Sequence, residues 1–179
     1  MEAREVLAEA YGRVGGLVHT AAGGLDADGL AYRPDPDANS IAWLVWHLTR
    51  IQDHHLCGIT GREQAWTGDG WADRLGMPAD LEDTGYGHTS AQVAAVRPDG
   101  PDALLGYYDA VAARTAEYLT VLHGEELARI VDRSYDPPVT VGVRLVSVIS
   151  DNLQHAGQAR YLRGIVDRTA AAGGPSTVA

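Results

Sequence analysis

Four stretches of this chain carry apolar residues at three- and four-residue steps, and no stretch shows a clear strand alternation. A chain patterned this way buries its apolar surface by packing helix on helix. The first stretch runs from about Glu2 to Ala22, where Val6, Leu7, Ala10, Tyr11, Val14, Leu17 and Val18 recur on one side. Gly23 and Gly24 stop it. The second starts at the N-cap pair Asn39 and Ser40 and ends near Gly58 to Gly61; its first half is apolar around most of its circumference, which predicts deep burial. The third runs from about Pro101, suited to a first helical turn, to Leu122. The fourth and longest spans about Thr140 to Arg168.

The connections are unequal. Residues 62–100 hold one short helical candidate at Ser90–Val96 and a turn-rich run, Asp83-Thr84-Gly85-Tyr86-Gly87-His88. A connection this long between core helices is unusual and is often functional. Trp66 and Trp71 within it predict that it packs on the body. The expected architecture is an all-α four-helix bundle over residues 1–169 with a long connection between its second and third helices, followed by a flexible tail over 170–179.

Composition removes several kinds of chemistry. All 14 basic residues are arginine, so there is neither a Schiff-base nor a P-loop lysine. The net charge of −10 without a basic cluster argues against nucleic acid. One cysteine permits no intramolecular disulfide, and no apolar run approaches the ~18–20 residues that span a bilayer. With no signal-peptide pattern at the start, the expectation is a cytoplasmic protein without a membrane partner. Chemistry must come from His, Asp, Glu, Arg, Tyr or Cys57.

On the last helix, Arg144, Val148, Asp151, His155, Gln158 and Leu162 share one stripe, framed by Ile149 on the neighbouring one. A carboxylate and an imidazole on a core-facing stripe cost several kcal/mol unless paired or bound to an ion. On the second helix, His47 lies among Trp43, Leu44 and Ile51, and His54 follows one heptad later. Bundles build metal sites from an i, i+3 or i, i+4 pair on one helix and a ligand from a facing one. The alternative is a self-satisfied Asp151–His155 hydrogen bond with His47 paired to a tyrosine.

The segments NSIAWLVWHLTRIQDHH (residues 39–55) and DNLQHAGQARYLRG (residues 151–164) together resemble the DinB-like superfamily, nearest to its actinobacterial branch of mycothiol-dependent enzymes and domains of unknown function. The resemblance covers nearly the whole chain in the expected helix order. It implies a four-helix bundle holding a divalent metal, zinc favoured and nickel possible, through His47, Asp151 and His155. Asp151 stands where the family usually has histidine; two histidines and a carboxylate still form a competent set with open positions. The resemblance also implies a metal-dependent thiol S-transferase or isomerase acting on a small electrophile. Mycothiol is the favoured thiol cosubstrate, the Arg-only, Ala- and Gly-rich composition being that of a GC-rich genome. Asp151 and His155 are the candidate catalytic residues; Arg144, Gln158, Asn152 and His54 are the candidate substrate-binding or supporting residues. A homodimer is possible.

Two rival readings remain at this level. One is a non-catalytic bundle that sequesters a small molecule or metal in stress response or self-resistance; the other is a metal-free enzyme using Asp151 and His155 as an acid–base pair. Smaller expectations complete the reading. Arg50 and Asp53 form a surface or inter-helix ion pair, Arg144 binds a substrate carboxylate or a structural acid, and Tyr86 and His88 fix their turn or line a mouth. Cys57, Trp43 and Trp46 are packing residues.

Overall fold

The structure, a computed structural model, describes residues 2–173. Four long helices form the body: α1 (Ala3–Ala22), α3 (Ile41–Thr60), α7 (Pro101–Val121) and α8 (Val141–Gly173). The short helices α2 (Ala27–Ala31), α4 (Ala65–Gly68), α5 (Trp71–Arg74) and α6 (Ser90–Ala95) lie in the connections. This is the all-α bundle that the periodicity predicts. One feature was not expected: between α7 and α8 the chain forms a 3-10 turn (Gly124–Ala128) and a short antiparallel ribbon of β1 (Ile130–Asp132) and β2 (Val139–Thr140). Each strand is too short for alternation to register in sequence. Helix α8 continues past Arg168 to Gly173, and the rest of the expected tail, residues 174–179, lies outside the described residues.

Helix ends follow local chemistry. The Ser40 hydroxyl accepts from the Trp43 amide at 3.1 Å and starts α3, and Gly61 ends it at φ +70°, a left-handed conformation open to glycine. Helix α3 is the centre of the molecule: fifteen of its twenty residues are buried, which explains an apolar sequence on all sides.

Helices α1 and α3 each pack against α7 and α8 and lie diagonally opposed. Polar contacts fix the directions. Gln52 donates to Thr115 and Arg62 to Glu117, so α3 and α7 run parallel; His47 meets Asp151 whereas His54 and His55 lie beside Arg144, so α3 and α8 run antiparallel. Parallel neighbours cannot be joined by a tight turn, because the chain must return the ~30 Å length of a twenty-residue helix. The long connection at residues 61–100 is that return. It packs on α3 and α7: Trp66 is 1 % exposed, and Trp71 and Tyr107 have ring centroids 6.0 Å apart.

What pins the return segment is polar. Arg50 and Asp53 are both fully buried, 3.8 Å apart, on the face of α3 that the connection covers. They were expected at the surface or between helices; neighbouring apolar residues bury them instead. Asp53 accepts from the Ala65 and Trp66 amides and from the Tyr107 hydroxyl. Arg50 donates to the carbonyls of Asp80, Leu81 and Asp83 and to Gln64 Oε1, with Trp66 stacked 5.0 Å from its guanidinium carbon. Removing one partner of such a pair leaves an uncompensated buried charge. Asp53→Ala is therefore expected to cost about 3–5 kcal/mol of unfolding free energy in urea titration.

Candidate metal centre

Helix α3 delivers His47 and helix α8 delivers Asp151 and His155 to one point. One donor atom from each of the three lies within 4.8 Å of the other two. His47 Nε2 is 4.0 Å from Asp151 Oδ2, His155 Nε2 is 3.5 Å from Asp151 Oδ1, and the two imidazoles stand nearly perpendicular with centroids 4.7 Å apart. Donors on one cation at about 2.0–2.2 Å sit roughly 3–4 Å apart, which is close to this spacing.

The protons decide what these groups can bind. His47 Nδ1 faces the Thr84 carbonyl at 2.5 Å, and a carbonyl only accepts, so the proton sits on Nδ1. His155 Nδ1 likewise donates to Gln158 Oε1 at 3.0 Å. Both neutral rings then turn Nε2 lone pairs toward a carboxylate that carries only lone pairs. Asp151 Oδ2 is itself buried with no hydrogen-bond partner. Three acceptors facing one another repel unless a cation or a proton lies between them. The donor set, two imidazoles and one carboxylate, fits a divalent cation, and the carbonyl oxygens behind both rings are the outer partners that orient metal-binding histidines.

The two histidines differ in environment. Burial pushes the His47 pKa down, outweighing the Thr84 hydrogen bond and the Asp151 charge, which raise it. Burial also lowers that of His155, but hydrogen bonds to Asp151 and Gln158 and the Asp151 charge together carry it above the ordinary histidine value. His47 is 5 % exposed, whereas the side chains of His155 and Asp151 are 19 % and 29 % exposed. The centre has a closed wall on α3 and an open side on α8.

Not every residue singled out from sequence lies here. Gln158 does, as the acceptor behind His155. Asn152 points elsewhere: it is fully buried and donates to Gln52 Oε1 at 2.6 Å, and Gln52 donates on to Thr115, tying α8 through α3 to α7. Arg144 pairs with the structural acid Asp132 at 2.9 Å. His54 sits at the rim, its Nδ1 3.3 Å from the Leu81 carbonyl. The Cys57 thiol lies 3.6 Å from Asp53, and burial and that carboxylate push its pKa up to about 12, so it packs and supplies no thiolate. Trp43, buried, also stacks on His47 at 4.6 Å and 9°. A cavity of about 760 Å³ opens between α1 and α7, but it is lined largely by Ala, Gly and Tyr and none of the three donors borders it.

The turn-rich run Asp83–His88 that the sequence marks closes over His47, a contact the sequence does not reveal. Thr84 supplies the carbonyl. Asp83 Oδ1 accepts from the Gly85 amide and lies 2.8 Å from His88 Nε2, while His88 Nδ1 accepts from Trp43 Nε1. Gly85 has φ +87°, and a Cβ there would stand 2.8 Å from Trp46 and 3.0 Å from His47 Nδ1. His88 fixes the turn, one of the two roles its sequence allows, whereas Tyr86 is 91 % exposed and outside the site. Gly85→Ala is expected to lift the loop, release the His47 Nδ1 proton to either ring nitrogen, and weaken divalent-metal affinity about 10–100-fold. Imidazole ¹⁵N shifts and chelator competition measure the two effects.

Comparison with known proteins gives a consistent picture. The family model described as Mycothiol-S-transferase matches residues 13–168. Among solved structures, the "Crystal structure of the conserved protein of locus from Enterococcus faecalis" superimposes with a TM-score of 0.85 at 29 % identity, covering 93 % of this chain and 98 % of that one. No curated protein matches the chain.

Proposed function

The chain belongs to the mycothiol-S-transferase family, and from that premise we propose that it is a metal-dependent transferase joining the mycothiol thiol to a small electrophile. The observation that supports this most is the convergence of two imidazole lone pairs on the unpartnered Asp151 oxygen. In this reading His47, Asp151 and His155 would hold the cation, zinc favoured over nickel for a nitrogen- and carboxylate-bearing set. A cation held there would supply Lewis-acid chemistry that makes thiolate available at neutral pH.

The chain's own residues do the rest. Thr84 and Gln158 hold the two rings with Nε2 forward, so no binding energy is spent choosing a tautomer. Trp43 walls the centre on the α3 side and keeps water from His47. The open α8 side admits the electrophile. In the transfer, the S–H proton passes to solvent, a sulfur electron pair forms the new C–S bond, and the pair of the broken bond departs with the leaving group. With an epoxide that pair stays on oxygen, which takes up a proton.

A second reading has one observation in its favour: Asp151 and His155 lie 3.5 Å apart with the His155 pKa raised, as in a carboxylate-supported acid–base pair. Metal analysis separates the two. Protein purified without chelator or affinity metal is expected to carry one divalent ion per chain by mass spectrometry, and His47→Ala and Asp151→Ala to lose it. Absence of metal from wild type together with failure to load it sinks the metal-dependent reading. Metal without thiol consumption across an electrophile panel points to a binding protein. Affinity carries its own signature. Because His155 holds its proton to a higher pH than an ordinary histidine, metal affinity should begin to fall at the upper edge of the imidazole range. Below that it should drop roughly tenfold per pH unit for each displaced proton.

A further inference from the structure

Between α1 and α7 the bundle is open. Ala8, Gly12 and Gly15 on α1 and Ala112, Ala113 and Ala116 on α7 line the gap, and side chains this short leave a cavity of about 760 Å³. The cavity reaches Gln52, which belongs to α3, the helix diagonally opposite α1. It therefore passes between two neighbouring helices toward the axis of the bundle. Gly12 relieves no clash, since a Cβ there would meet nothing within 4 Å. Glycine weakens a helix interior relative to alanine, and at this position what it leaves in return is open volume.

Two buried polar groups on the cavity wall have unmet hydrogen bonds. Tyr108 is 3 % exposed, and its hydroxyl makes no hydrogen bond among the described residues. That hydroxyl lies 3.6 Å from where a Cβ of Gly15 would stand, so it faces the gap between the helices. Burial, and then the Asp109 charge, push its pKa up, which keeps it a neutral phenol able to donate. Gln52, also 3 % exposed, donates one Nε2 hydrogen to Thr115 and accepts from Asn152 at Oε1. Its second Nε2 hydrogen has no acceptor among the described residues. Buried donors left unmet are costly, and a ligand acceptor removes that cost. Tyr11 spends its hydroxyl on the Leu145 carbonyl and offers the cavity its ring. The charges at the mouth are engaged elsewhere: Arg4 with Glu2, Glu5 with the Glu2 amide, and Asp109 with His19. Nothing there calls for an ion.

We propose that this cavity is a second binding site, separate from the metal centre, for an uncharged, largely apolar aromatic molecule that carries an oxygen acceptor such as a ketone. Its volume and its apolar walls with a few placed polar groups are those of small-molecule sites between bundle helices. The tyrosine rings and the alanines hold the apolar body, and Tyr108 and Gln52 supply the donors. Gln52 sits about one helix diameter, roughly 10 Å, below the outer face of α1 and α7. That depth is beyond the backbone of a chain laid across the gap, which favours a small molecule over a second copy of the protein. The inference does not rest on the transferase reading.

The probe is 6-propionyl-2-(dimethylamino)naphthalene, an uncharged aromatic ketone whose emission moves to the blue on leaving water. Wild type is expected to give saturable, blue-shifted emission with one site per chain. Tyr108→Phe removes one donor at constant shape and is expected to weaken binding about three- to tenfold. Gly12→Leu and Ala116→Leu fill the gap from either wall and are expected to abolish binding, while circular dichroism melts show both to be folded. Binding is expected to survive His47→Ala at the metal centre. The analogue without the ketone, 2-(dimethylamino)naphthalene, is expected to bind more weakly and to be indifferent to Tyr108→Phe. Absence of saturable binding to wild type overturns the proposal, as does binding that His47→Ala removes and the gap-filling variants leave intact. A dimer in sedimentation that Gly12→Leu dissociates also overturns it, because a second copy then occupies the gap.

Discussion

The buried pair of Arg50 and Asp53 governs more of this molecule than any apolar contact. Two opposite charges with no solvent exposure are expensive in isolation, since desolvation of each ion costs several kcal/mol. The cost is met here by hydrogen bonds, most of which reach the connection between α3 and α7, with the Tyr107 hydroxyl of α7 adding one to Asp53. Asp53 holds the start of α4 and Arg50 holds the carbonyls of residues 80, 81 and 83. The pair thus converts a long parallel crossover into a fixed layer over α3. The residue after Asp83 is Thr84, whose carbonyl sets the His47 tautomer. A charge pair deep in the bundle and the direction of a histidine lone pair are therefore two ends of one chain of hydrogen bonds.

That chain explains what could and could not be read from sequence. The four long helices, the N-cap at Ser40 and the inward stripes of α3 and α8 follow from local periodicity, and so were legible. His47, Asp151 and His155 were legible because polar residues on apolar stripes demand a partner. Arg50 and Asp53 pair as their spacing allows, but their burial was not legible, because a three-residue charge spacing describes exposed helix pairs equally well. Only the covering segment makes them buried. The closing loop was illegible for a related reason: Thr84 contributes a backbone carbonyl, which carries no side-chain signature. Asn152 shows the limit of stripe reasoning, since one position round the helix from Asp151 sends it to Gln52 instead of the centre. The β1–β2 ribbon, at three and two residues, is shorter than the period that would reveal it.

The carboxylate in the trio alters the electrostatics of the centre. Three neutral imidazoles would leave a bound dication with its full charge; Asp151 cancels one unit of it. Under the proposed function, a less positive centre would depress the pKa of a thiol held there less, yet would keep the sulfur more nucleophilic, because nucleophilicity falls as pKa falls. The same carboxylate holds the His155 proton when no cation is present, so one residue tunes both the loaded and the empty site.

Burial divides the work between the two helices. On α3, His47 is locked by the crossover layer and backed by Trp43, and nothing there can move without disturbing the core. On α8, Asp151 and His155 keep roughly a fifth to a third of their side-chain surface in solvent. The rigid donor is therefore the one on α3 under its cover, whereas the solvent-facing donors are those on α8. Asp132 and Arg144 pair with each other and touch neither the Arg50–Asp53 network nor the Gln52–Asn152 link, so that end of α8 can vary at little cost to the fold. A bundle arranged in this way can keep one centre and vary the molecule it accepts.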